Sequence, residues 1–141
     1  MMITKRPWRL ALVAAATAVA LLGAACGSED GEDASAGTPA VSVLRGEGAV
    51  PSLEIDATGL QANAEYVARL HAGTCEAEGA SGGTLGTLTA DADGTASLST
   101  STVLVGAAGA PADLTAEVLE GDHVVRLLPV AGGDAICVPV P

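Results

Sequence analysis

Every few residues from Val41 to Pro141 the chain is broken by glycine, proline, aspartate or asparagine, and nowhere between the breaks do apolar residues recur at helical spacing over three turns. A chain punctuated in this way cannot lay down a helical core, so its apolar residues have to be buried by strands. The β-rich runs are 41–46, 52–58, 65–71, 84–90, 95–105, 114–120, 123–129 and 135–140. In Ser52-Leu53-Glu54-Ile55-Asp56-Ala57 apolar and polar residues alternate, as on a half-buried strand. From Tyr66 to His71 the alternation is looser. Asp91-Ala92-Asp93-Gly94 supplies the residues of a tight hairpin between 84–90 and 95–105. About eight short strands at this spacing predict an all-β sandwich or barrel without substantial helix. Residues 41–141 are numerous enough for one domain with a modest core.

Aromatic side chains are almost missing from that core. The chain has no phenylalanine and one tryptophan, Trp8, so Tyr66 is the single aromatic residue of the strand-rich region. Valine, leucine, isoleucine and alanine must fill the interior. Stacking of sugars, bases or quaternary amines needs aromatic faces that this region cannot assemble. Charge excludes a further class. Beyond residue 25 only Arg45, Arg69 and Arg126 oppose 17 acidic residues, a formal charge of −14. Such a surface repels phosphate backbones, so no nucleic-acid partner is expected, and the acidity serves solubility.

The first 25 residues follow a different rule. Lys5, Arg6 and Arg9 precede an apolar stretch from Leu10 to Leu22 that ends in Gly23-Ala24-Ala25, the n-, h- and c-regions of an export signal. The stretch is well short of the roughly 20 residues of a spanning helix. Leu22-Gly23-Ala24-Ala25-Cys26 resembles a bacterial lipobox, which implies that Cys26 is acylated before cleavage; Gly23 stands where a lipobox usually has Leu, Val or Ile. Ordinary signal-peptidase cleavage after Ala25 is the alternative, since Gly23 and Ala25 are small. Two acyl chains would anchor the protein stably to the membrane. Residues 26–40, acidic and without apolar periodicity, then read as a flexible tether ahead of one domain at 41–141.

Gly59-Leu60-Gln61-Ala62-Asn63-Ala64-Glu65-Tyr66 resembles the tyrosine corner of immunoglobulin-like sandwiches, in which a leucine enters the core and the tyrosine hydroxyl reaches back to the backbone. Tyr66 is therefore expected to be a structural clamp rather than a catalytic acid. In a fibronectin type III module this corner lies near the domain end, whereas here about half the chain follows it. Asp91-x-Asp93-Gly94 also opens like a calcium loop, but no third acidic residue keeps step and no glutamate stands at the twelfth position. A turn is the better reading.

Tyr66-Val67-Ala68-Arg69-Leu70-His71-Ala72-Gly73-Thr74-Cys75 resembles the Tyr-x-x-His-x-His-x-Gly-x-Cys segment of copper/zinc superoxide dismutase-like and CHRD-like secreted domains. Gly83 to Ala96 is similar to a hairpin of the dismutases, and Ala135-Ile136-Cys137-Val138 to their closing strand. The resemblance implies an eight-stranded Greek-key sandwich with Cys75 bonded to Cys137. Cysteine arithmetic is compatible with this, since lipidation of Cys26 leaves two thiols for an oxidising compartment. Two separate thiols are the alternative. The family's metal ligands do not carry over. Its His-x-His pair reads Arg69-Leu70-His71, Val124 to Leu128 contains no histidine, and His123 is the second and last histidine of the chain. Copper or zinc needs three or four converging ligands. His71 and His123 with Glu76, Glu78 or Asp122 form at best a weak candidate site. The plainer expectation puts His71 at a strand end against a loop carbonyl, with Arg69 paired to Glu65 or Glu78 in a former ligand position.

No lysine-bearing phosphate loop occurs, and an oxidised Cys75 is no nucleophile. The sequence thus points to a membrane-anchored, extracytoplasmic, monomeric lipoprotein without cofactor or enzymatic activity, acting as an interaction or envelope-associated module. A copper- or zinc-binding dismutase-type protein is the alternative, and a solute-capturing lipoprotein is disfavoured because about 100 residues make one small sandwich rather than two lobes.

Overall fold

A computed structural model describes residues 37–141. The export signal, Cys26 and the tether as far as Ala36 lie outside the described residues. Nine strands follow: β1 (Ala40–Gly46), β2 (Ser52–Thr58), β3 (Glu65–Gly73), β4 (Glu78–Thr89), β5 (Ala96–Thr100), β6 (Thr102–Val105), β7 (Ala110–Asp113), β8 (His123–Pro129) and β9 (Ile136–Pro139). They form two antiparallel sheets, of order β1-β2-β5 and β7-β6-β4-β3-β8-β9, with no helix among the described residues. The all-β sandwich expected from the punctuated sequence is the fold.

Alternation decides what each strand buries. β2 turns Leu53, Ile55 and Ala57 inward and Glu54 and Asp56 outward, and β3 does the same with Tyr66, Ala68 and Leu70. Val125 and Leu127 of β8 meet them from the neighbouring strand. The core is aliphatic apart from Tyr66. Each large side chain removed from water there contributes about 1.5–3 kcal/mol before entropy is charged against it.

After the β3–β4 hairpin, β5 returns to lie beside β2, a Greek-key crossing of the two sheets. Two sequence expectations change here. Asp91–Gly94 does not make a hairpin, because β4 pairs with β3 and β6 while β5 pairs with β2 in the other sheet. The turn is instead closed locally. Asp91 Oδ1 accepts the amides of Asp93 at 2.9 Å and Thr95 at 2.8 Å. Likewise 95–105 is not one strand, since the chain changes sheets at Ser101. There the Thr100 hydroxyl donates to the Thr102 carbonyl at 2.8 Å and accepts from the Thr102 amide at 3.1 Å, fixing the bend.

A third expectation fails outright, because residues 114–120 are turns rather than a strand. Leu114 and Leu119 are buried there, but the Leu119 amide bonds back to the carbonyls of Thr115 and Ala116, and the Val118 amide to the Thr115 hydroxyl. The strand next to β6 is the unpromising Ala110-Pro111-Ala112-Asp113, a short edge where proline is tolerated. Elsewhere the runs agree closely with the observed strands, with β3 extended to Gly73 and β4 begun earlier, at Glu78.

Candidate functional site

Cross-strand register lines up one row of residues on the outer face of the six-stranded sheet. Arg69 lies opposite Arg126 on one side and Thr84 on the other, Arg126 opposite Cys137, and Thr84 opposite Leu104. Residues directly opposite share a face, and the inward partners one position along are buried Ala68, Leu70, Val125 and Leu127. The row therefore looks away from the core.

At one end of this row Cys75 and Cys137 form a disulfide, with Cα atoms 5.8 Å apart and a sequence separation of 62. The bond pins the Thr74–Ala77 loop onto the sheet. The loop is shaped by its own bonds, Thr74 amide to Ala77 carbonyl at 3.2 Å and Ala77 amide to Thr74 hydroxyl at 3.2 Å. The Gly73 amide holds it to the Asp122 carbonyl at 2.7 Å. Gly73 has φ +94, and a Cβ there would run into the Ala77 carbonyl, so the tight return needs glycine. Val124, opposite His71 and thus on the outer face, is wholly buried yet stands apart from the main core cluster.

Glu78 meets two partners. Arg126 Nη1 donates to Glu78 Oε2 at 2.7 Å, and His71 Nδ1 lies 2.9 Å from Oε1. The side chains of His71, Glu78 and Arg126 are 14%, 26% and 32% exposed. His71 Nδ1 is within ion-pair distance but is not aligned to donate a hydrogen bond, so the contact is electrostatic only. Arg126 Nε is likewise buried without an acceptor. Polar atoms left so are costly, about 1–3 kcal/mol each when wholly desolvated.

These contacts revise the sequence expectations for the site. His71 faces a carboxylate, and it is His123 whose Nδ1 meets a loop carbonyl, that of Gly121, at 3.3 Å. His123 lies opposite Ala72, one residue beyond His71, so the two imidazoles project from opposite faces of the sheet. They do not share a site, and among the described residues no three of His, Cys, Asp and Glu converge. Arg69 pairs with neither Glu65 nor Glu78; Arg126 holds Glu78, and Arg69 makes no ion pair among the described residues. The Arg126–Glu78 pair was not anticipated. Its only signal would have been the register between β3 and β8, strands that are distant in sequence.

Tyr66 belongs to another place. Its hydroxyl accepts the Gln61 amide at 3.2 Å, while Leu60 enters the core and Asn63 takes a left-handed conformation, φ 58. The phenol is engaged by backbone. A surface depression of about 590 Å³ lies beside Arg45, whose guanidinium donates to the Leu119 carbonyl at 2.8 Å. That bond fixes the 114–120 turns against β1, and Glu47 and Glu120 also line the depression.

Neither a family model nor a curated protein matches this chain. Among solved structures it is similar to macromomycin, at 19% identity over 72% of this chain and 96% of that chain, with a TM-score of 0.40. A likeness at that level carries no argument about what this chain binds or does.

Proposed function

We propose that this chain is a membrane-anchored lipoprotein of the extracytoplasmic face, and that its sandwich is a dismutase-like scaffold without metals that serves as a non-enzymatic interaction or envelope-associated module. The observation that carries the metal-free reading is the position of Arg126. Among the described residues the carboxylate in reach of His71 is that of Glu78, and it is already held by a guanidinium at 2.7 Å. Arginine stays charged at any physiological pH, so a divalent ion approaching His71 meets a fixed positive charge and a co-ligand already neutralised. The expected dismutase position before it is Arg69, a second permanent cation. A copper- or zinc-dependent dismutase has correspondingly weaker support.

Anchoring rests on Cys26, the acidic tether after it and the charge pattern before it. The disulfide supports an oxidising compartment. Growth with radiolabelled palmitate should label the wild-type chain and leave Cys26→Ser unlabelled and released from the membrane fraction. A Cys26→Ser chain that stays with the membrane would overturn the anchor.

A further inference from the structure

Two of the three arginines beyond residue 25 stand directly opposite each other on β3 and β8, in a region that holds 17 acidic residues to separate them. Like charges placed so repel, and local conflicts of this sort collect at functional positions. Glu78 neutralises Arg126 only. Arg69 is exposed, makes no ion pair among the described residues, and forms a wall of a depression of about 510 Å³ completed by Ser81, Thr84 and Leu104. That volume lies within the range of small-molecule sites. Leu104, two places from Arg69 in the same row, is 39% exposed, and Val105 beside it 37%. A free guanidinium, two hydroxyl side chains and an uncovered aliphatic surface thus border one concavity.

We propose that this concavity binds a small organic monocarboxylate with an apolar body, its carboxylate on Arg69 and its body against Leu104. Arginine presents a planar fork that matches a carboxylate with two parallel hydrogen bonds. The acidic remainder of the surface repels anions, so attraction is confined to this row. The inference goes beyond the anchoring proposal and does not depend on it, because a secreted chain would bind equally.

Phenylacetate is the probe, titrated by NMR into the isotope-labelled full chain in zwitterionic nanodiscs. Saturable shifts are expected at residues 69, 81–84 and 104–106. Arg69→Gln should weaken binding on the order of tenfold or more, the loss of a charge-assisted bidentate contact, and Arg69→Lys by less. Leu104→Ser should weaken it several-fold, whereas Arg45→Gln should leave it unchanged. Neutral phenylacetamide and body-less acetate should both bind more weakly than phenylacetate. A thermally stable Arg69→Gln chain that binds phenylacetate as tightly as wild type, equal binding of phenylacetamide, or shifts centred on Arg45 would each overturn the proposal.

Discussion

Strand β3 has two unlike ends. At its start, the loop of residues 59–64 and the turn of residues 90–95 satisfy one another: the Leu60 amide bonds to the Gly94 carbonyl, the Asn63 amide to the Asp91 carbonyl and the Ala90 amide to the Ala64 carbonyl, all within 3.1 Å. The side chains of Tyr66 and Asp91 accept three more amides, those of Gln61, Asp93 and Thr95. At its finish, a covalent bond and one ion pair hold a loop over His71 and Arg126, each of which keeps a buried nitrogen without a hydrogen-bond partner. The corner is closed by local chemistry and explains itself as structure. The disulfide end carries unspent polar groups, and the arginine row beside it is where a ligand has something to gain.

Replacing both Cys75 and Cys137 by serine should cost about 4 kcal/mol by loop-closure entropy, read by urea denaturation of the double variant. A loss under half that size would mean that the loop is held without its bond. Leu60→Ala, which empties a buried position at the corner, should cost about 3 kcal/mol. Tyr66→Phe should cost about 1 kcal/mol, because the Gln61 amide loses its acceptor. Glu78→Gln should cost less than about 1 kcal/mol, since the pair with Arg126 is partly exposed to screening water. If Glu78→Gln proved more damaging than Tyr66→Phe in the same assay, the ion pair at the disulfide end would outweigh the tyrosine hydrogen bond at the corner, against expectation.

The same division governs what could be read from sequence. Corner residues lie within eight positions of one another, from Gly59 to Tyr66, and each has its own local reason: a leucine that enters the core, an asparagine that tolerates positive φ, a tyrosine with a backbone partner. They were legible for that reason. So were the strands with strict alternation, such as β2. Residues 114–120 were misleading because Leu114 and Leu119 are buried for packing while their backbone bonds locally, and β7 was hidden because its pairing with β6, rather than its own propensity, makes it a strand. The expected hairpin at 91–94 failed on a non-local fact, that β4 and β5 choose different partners. In the outer-face cluster the same limit applies. Glu78 and Arg126 are 48 residues apart, and only the completed sheet decides that Arg126, not Arg69, holds the carboxylate.

The claim on which the functional proposal turns is that His71, Glu78 and Arg126 form a cluster of protein groups alone, with guanidinium charge in place of metal. Elemental analysis of the protein purified from its native membrane, without added metal or chelator, measures this directly. Copper and zinc should be far below one equivalent per chain, unchanged in His71→Ala. Stoichiometric copper or zinc that disappears in His71→Ala would contradict it and restore a metal-dependent reading.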